Sequence, residues 1–141
     1  MNKKHLAVQR GFTLIEVMVV VVILAILAAI IVPKILHRPD QARNIAAKQD
    51  VLAIQNAMDL YKLDNGFYPS SEQGITALVQ KPTTQPIPQS WMEGGYLKHV
   101  PVDPWGHHYH YLNPGKHGEI DVFSYGPANQ PGDKEIGNWN S

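Results

Sequence analysis

An unbroken apolar run near the N-terminus limits what this chain can fold into more than any other feature. Every residue of Val17–Val32 is apolar, and the preceding segment 1–11 is short and basic. Counted from Phe12, the run would form a helix about 31 Å long, enough to cross a bilayer core of about 30 Å. A conventional folded core is therefore expected only in the remainder of the chain.

Three interpretations of this run compete. A secretory signal peptide has an apolar core of about 7–15 residues and a small-x-small cleavage site, neither of which matches a run ending Val32-Pro33-Lys34. A plain membrane anchor fits the length but does not explain Glu16, because a carboxylate inside a spanning segment costs about 2.5–3.5 kcal/mol. The third interpretation is a signal that requires this carboxylate.

The residues around Glu16 favour the third interpretation. They place a Gly, a Phe and a Glu at fixed spacing in the motif Gly11-Phe12-Thr13-Leu14-Ile15-Glu16. This motif resembles the N-terminal signal of the type IV pilin-like superfamily. The resemblance implies a basic prepilin leader over 1–11, cleavage between Gly11 and Phe12 by a prepilin peptidase, N-methylation of Phe12, and a transmembrane and filament-core helix over 12–33.

The carboxylate of Glu16 has a physical use in such a helix. Cleavage would leave a cationic amine on Phe12, and a carboxylate in lipid needs a partner. In a filament, Glu16 of one copy could pair with the Phe12 amine of its neighbour and set the axial register, as a buried polar group does in a coiled coil. The alternative is a protonated Glu16 that faces lipid or the headgroups.

The apolar spacing becomes helical beyond Asp40. Apolar residues recur at steps of three and four, which predicts one buried helix face: Ala47, Val51, Ile54, Met58 and Tyr61. The helix is predicted to continue over 34–65 and to stop at Asn65-Gly66. The buried face is predicted to pack on the chain's own head.

The remainder, to residue 141, is predicted to be a small head rich in loops. Segment 66–100 reads as variable loops, with a short helix Ile75–Gln80 capped by Ser71. Segment 101–141 reads as an antiparallel hairpin followed by a C-terminal loop. The two strands of that hairpin are predicted at Tyr109–Leu112 and Ile120–Tyr125.

A second set of motifs narrows the resemblance. It comprises Tyr61-Lys62-x-Asp64-Asn65-Gly66-x-Tyr68-Pro69, Asp103-Pro104-Trp105-Gly106, Tyr109-x-Tyr111, Asn113-Pro114-Gly115-x-His117-Gly118, Asp121-x-Phe123-Ser124-x-Gly126 and Ile136-Gly137-Asn138-Trp139. Together with the leader they resemble the major pseudopilins of type II secretion systems. The resemblance implies an α+β pilin-like fold, with a long N-terminal helix packed on a small antiparallel sheet and a loop-rich C-terminal region.

The same resemblance implies a function and partners. The head (34–141) would lie in the periplasm of a bacterium, with the leader cytoplasmic and a single pass through the inner membrane. The chain would form a helical homopolymer, a filament that helps to drive folded exoproteins across the outer membrane. Its partners would be the prepilin peptidase and methylase, an inner-membrane assembly platform and minor pseudopilins. The alternatives are a type IV pilus subunit for adhesion or motility, and an anchored periplasmic binding protein.

Composition excludes several other classes. The chain has no cysteine, which excludes a disulfide scaffold, a thiolate nucleophile and an iron–sulfur cluster. Its 12 basic and 12 acidic residues leave no positive excess for binding nucleic acid. There is no Gly-rich phosphate loop or nucleophile motif, so an enzyme is not expected.

The resemblance also implies calcium in the C-terminal loop, but the family ligands are partly lost. Ala128 and Lys134 stand where the family pattern has aspartates. The oxygens that survive form at most a weak site: the Tyr125 carbonyl, Asn129, Asp133 and Glu135. The alternative is a loop held by hydrogen bonds and by packing of Trp139, with no cofactor.

The histidines are a second candidate metal site. Three cluster in sequence, His107, His108 and His110, and in a strand the last two would share a face that could hold zinc or copper. Their spacing matches no known ligand set, so exposed hairpin histidines are the simpler interpretation.

Overall fold

The structure, a computed structural model, describes the backbone of residues 11–140 and their side chains except those of 31–38. The predicted leader therefore lies outside the described residues except for Gly11. The side chains at the end of the predicted segment 12–33, and at the start of its predicted continuation 34–65, also lie outside them. The chain divides into two compact units, Met1–Pro39 and Asp40–Ser141.

Helix α1 spans Leu14–Asn65. Its start is capped by Thr13, whose Oγ1 accepts the backbone N–H of Glu16 at 3.3 Å. Gly66 follows its end in a left-handed conformation, with φ at 85°, which only a residue without a Cβ adopts easily. Within the part of the chain that the structure describes, no helix has both the length and the hydropathy needed to cross a membrane.

The described part of the first unit has no interior. Every residue of 11–30 is exposed, including the whole apolar run up to Ile30. Phe12 is 87% exposed and Ile30 is 59% exposed. Nothing in the described part of this unit shields these side chains from their surroundings.

The second unit has a core built on one face of helix α1. The predicted stripe is confirmed, because all five of its residues are fully buried: Ala47, Val51, Ile54, Met58 and Tyr61. The other side of the core comes from the sheet and the loops, with Ile75, Leu78, Tyr109, Tyr111, Ile120 and Val122. A helix face and a small sheet therefore enclose one core, as in other two-layer α+β folds.

The sheet is antiparallel and has the order β1-β2-β3. Its strands are β1 (His110–Leu112), β2 (Asp121–Ser124) and β3 (Ile136–Gly137). The predicted hairpin is confirmed as β1 and β2, with Tyr111 opposite Val122. The short strand β3 lies in the segment predicted as a C-terminal loop, and it was not predicted, because a two-residue strand is too short to show any alternation in sequence.

The loops before the sheet contain a 3-10 helix, Ile75–Leu78, shorter than the predicted Ile75–Gln80. The expectation that Ser71 caps it was wrong. The Ser71 hydroxyl instead accepts the backbone N–H of Asn113 at 2.8 Å and donates to the Asn113 carbonyl at 3.1 Å. The Ser71 hydroxyl is therefore bonded to a residue distant in sequence and does not cap the 3-10 helix.

Candidate functional site

The N-terminal motif forms the first turn of helix α1. Glu16 is exposed there, in the turn that carries the positive end of the helix dipole, which favours a carboxylate. The sequence prediction missed the capping role of Thr13, although Thr13 and Glu16 have the spacing of a capping box. The cap fixes the first turn of helix α1, so Glu16 lies one turn from the predicted new N-terminus.

The predicted cleavage point lies just before the helix. Gly11 and Phe12 are both exposed and neither belongs to helix α1, which starts at Leu14. An added Cβ on Gly11 would meet no atom within 4 Å, so the backbone is open on that side. Cleavage after Gly11, methylation of Phe12 and the pairing of Phe12 with Glu16 between copies remain predictions.

The four residues of the predicted calcium site lie on the loop that joins β2 to β3. Asn129 and Asp133 are exposed, whereas Tyr125 and Glu135 are half-buried. Asn129 closes a tight turn, with φ at 51° and its N–H donated to the Gly126 carbonyl at 3.2 Å. The calcium ligand set remains a prediction.

The histidine cluster is spread over two environments. His108 is exposed, whereas the His110 ring packs between aromatic side chains, with its centroid 5.3 Å from Phe123 and 4.3 Å from Tyr125. Burial lowers the pKa of His110, and the carboxylates of Asp103 and Glu135 partly oppose that shift. Among residues 11–140, leaving out the side chains of 31–38, no three His, Asp or Glu side chains are grouped so as to hold a metal ion.

One buried polar cluster was not predicted. Asp103 accepts the backbone N–H groups of Trp105 (3.1 Å) and His107 (2.8 Å), and the Ser124 hydroxyl donates to its other oxygen at 2.7 Å. Ser124 is fully buried, so its hydroxyl is closed to a substrate. The Asp-Pro-Trp-Gly turn was the signal, because Asp side chains commonly bond the backbone two residues on.

Comparison with known proteins identifies the family. The model of the type II secretion system protein G family matches residues 34–139, and that of the prokaryotic N-terminal methylation motif matches residues 6–32. The type II secretion system core protein G of Pseudomonas aeruginosa is 56% identical over 137 residues, covering 94% of this chain and 96% of the relative. That of Vibrio cholerae is 52% identical over 141 residues, covering 97% and 96%.

A solved structure agrees in fold and in family. The crystal structure of the major pseudopilin from the type 2 secretion system of enterohaemorrhagic Escherichia coli matches with a TM-score of 0.67 and 45% sequence identity. The match covers 72% of this chain and 86% of that one. The family and the methylation motif together imply a subunit that is anchored through its N-terminal segment and polymerises. On the evidence of its head and of its N-terminal motif, the chain belongs to the type II secretion system protein G family, and its fold is that of a major pseudopilin.

Proposed function

We propose that this chain is the major structural subunit of a type II secretion pseudopilus. It polymerises into a periplasmic filament that helps to move folded exoproteins across the outer membrane. One observation carries the proposal: helix α1 is exposed throughout Leu14–Ile30, with Glu16 in its first turn, whereas the unit from Asp40 onward has its own core. The apolar side chains of Leu14–Ile30 need an external partner, whereas those of the buried stripe have theirs within the head.

The N-terminal motif indicates how the subunit is processed and assembled. The precursor sits in the inner membrane as a single pass, with its leader in the cytoplasm and its head in the periplasm. A prepilin peptidase cleaves between Gly11 and Phe12 and methylates the new N-terminus. An assembly platform in the inner membrane then adds the subunit to a filament that also contains minor pseudopilins.

The apolar segment supplies the driving force for assembly outside the lipid. A copy that leaves the membrane would expose large aliphatic side chains throughout Val17–Ile30, and in the periplasm only other copies can cover them. Each Val, Leu or Ile side chain removed from water contributes about 1.5–3 kcal/mol. Glu16 then fixes which register is allowed, because an unpaired carboxylate among these side chains is strongly unfavourable.

A second surface on helix α1 supports assembly by the head. Ile45 and Leu52 are each 56% exposed and Leu63 is 79% exposed. They are two and about three helical turns apart, so they lie on one face, opposite the buried stripe. We call these three residues the outer stripe and assign it to contacts between neighbouring copies.

Deletion of the gene tests the proposed function. Loss of exoprotein secretion, restored by the intact chain, is the expected result, together with a mature N-terminus that begins at N-methylated Phe12 in mass spectrometry. Loss of twitching or of surface pili with secretion unchanged would support the alternative of a type IV pilus subunit. An uncleaved chain that works equally well with Glu16→Ala would indicate an anchored binding protein instead.

A further inference from the structure

We propose that the C-terminal loop of this chain, residues 125–135, is closed by protein contacts alone and does not use a calcium ion. The contacts join Gly126 to Lys134, near the two ends of the loop, and hold the residues that follow β3 against the hairpin. This proposal concerns the stability of the head, so it stands whether or not the chain forms a pseudopilus.

The donor set of the loop does not fit calcium. Calcium takes six to eight oxygens, several of them from carboxylates. Only two carboxylates are available in the loop, those of Asp133 and Glu135, and the cationic Lys134 lies between them in sequence. Glu135 also lines the same pocket as the His110 imidazole.

At one end, the chain closes on itself through Gly126. A Cβ added to Gly126 would lie 2.9 Å from the carbonyl oxygen of Lys134, so the two sides of the loop touch at this point. The Gly126 N–H donates to the Ser124 hydroxyl at 3.0 Å, and that hydroxyl is itself held by Asp103. This end of the loop is fixed to a buried polar cluster.

At the other end, an aromatic stack holds the chain after β3. The rings of His117 and Trp139 are nearly parallel, with centroids 3.7 Å apart and planes inclined by 11°. The His117 Nδ1 lies 3.0 Å from a carboxylate oxygen of Asp121, which is 1% exposed and also accepts the Lys116 N–H at 2.8 Å. The Trp139 ring also packs so closely on Gly137 that an added Cβ there would overlap it.

Asn138 completes this closure. Its amide nitrogen donates to the Ile120 carbonyl at 2.9 Å and to the Gln55 side chain at 2.6 Å, and its oxygen accepts the Val122 N–H at 3.2 Å. The C-terminal residues are thereby bonded to the hairpin and to helix α1. We call His117, Asp121, Asn138 and Trp139 the C-terminal lock.

Thermal unfolding of the full chain in detergent tests whether the C-terminal loop binds calcium. A ligand that binds only the folded state must raise the unfolding midpoint. We expect midpoints in chelator and in millimolar calcium to agree within about 1 °C. A saturable rise with calcium that disappears in Asp133→Asn and Glu135→Gln would overturn the proposal.

A matched gain-of-function variant calibrates that measurement. Ala128→Asp combined with Lys134→Asp gives the loop two further carboxylates, at the positions where the family pattern has them. This double variant is expected to gain a calcium-dependent rise in midpoint that the parent chain lacks. An equal rise in the parent and in the double variant would contradict the proposal.

The contribution of the C-terminal lock to stability is tested by thermal unfolding in the presence of chelator. Trp139→Ala and His117→Ala are each expected to lower the midpoint by roughly 4–8 °C, and together by less than the sum, because they remove the same stack. His99→Ala and Met92→Ala are the controls, since both residues are exposed and neither belongs to the lock. Trp139→Phe keeps a ring and should recover part of the loss. Losses no larger than those of the controls would overturn the role of the lock.

Discussion

Helix α1 contains two stretches of apolar residues that differ in where their partners come from. Along Leu14–Ile30 every side chain is exposed, whereas Val51, Ile54 and Tyr61 are fully buried within the head. Hydrophobicity is similar in kind in both stretches, but its arrangement differs. In the first stretch it surrounds the helix, whereas in the second it forms one fully buried face and, opposite that face, the separate residues of the outer stripe. A helix that is apolar all round must be buried by something outside its own domain, whereas an amphipathic helix can be buried by its own head.

Replacing Glu16 should have the largest effect, and it should affect assembly without affecting the head. Glu16→Ala is expected to abolish exoprotein secretion and filament formation, because the register pairing with Phe12 of a neighbouring copy is lost. The unfolding midpoint of the head should not change, since Glu16 contributes nothing to the core around Ile54. Secretion by the variant and its thermal unfolding in detergent are measured on the same samples.

Glu93→Ala is the matched control for Glu16, because Glu93 is an exposed carboxylate in the head. It should leave both secretion and the midpoint unchanged. Normal secretion by Glu16→Ala would contradict the proposed role of the carboxylate, whatever the head does.

The outer stripe tests whether the head also takes part in assembly. Leu52→Asp is expected to reduce the yield of filaments several-fold, because it would place a charge in an apolar contact between copies. Leu52 is 56% exposed, so the free energy of unfolding should change by no more than about 0.5 kcal/mol. Filament yield equal to that of the parent would show that the outer stripe faces solvent in the polymer.

Substitutions on the buried face of helix α1 should reduce the stability of the head, unlike those on the outer stripe. Ile54→Ala leaves a cavity under the sheet and is expected to lower the free energy of unfolding by about 2–5 kcal/mol. Leu63→Ala, on the exposed face of the same helix, should change it by less than about 0.5 kcal/mol. Chemical unfolding of both variants measures the difference, and equal losses would mean that the helix does not pack as described.

Replacing Tyr61 is expected to have a smaller effect, and to stabilise the head rather than destabilise it. Among the residues that the structure describes with their side chains, its buried hydroxyl finds no hydrogen-bond partner, so Tyr61→Phe should stabilise the head by about 1–2 kcal/mol. Burial, with a smaller effect from Tyr96, raises the pKa of Tyr61 to about 12. The unfolded chain therefore loses this proton first, and stability should fall as the pH rises from about 10 towards 12.

Tyr61→Phe should reduce that alkaline loss without removing it, because burial and the hydrogen bond to Asp50 raise the pKa of Tyr109 too. Unfolding midpoints between pH 8 and pH 11 are the measurement. An unchanged alkaline slope in the variant would exclude Tyr61 as a contributor.

Replacing Asp121 should give the smallest effect, a change in how the stability of the head depends on pH in acid. Burial alone would raise its pKa, but hydrogen bonds from the His117 ring and from the Lys116 and His117 amides outweigh it and hold the pKa below its usual value. A lowered pKa means that the stabilisation is complete above about pH 4 and is lost as the pH falls further. Asp121→Asn should therefore lose less stability than the parent as the pH falls. An equal loss in the two proteins would assign the acid-dependent stability to other carboxylates.

Sequence reasoning succeeded where periodicity or a fixed motif carries the information. The stripe from Ala47 to Tyr61, the hairpin and the motif at Glu16 are all local patterns of this kind. It failed where a tertiary contact decides: the hydroxyl of Ser71 bonds to Asn113, and β3 is two residues long. The stack of His117 on Trp139 joins two segments far apart in sequence, and no pattern within either one predicts it.

Electron cryomicroscopy of filaments assembled from the processed chain would show whether the N-terminal helices form the filament core. Residues 12–30 of each copy are expected to be enclosed by helices α1 of other copies, with Glu16 beside the methylated Phe12 of a neighbour. The core around Ile54 and Tyr61 should be the same as in a single copy. Filaments held together by their heads, with residues 12–30 left uncovered, would contradict the account.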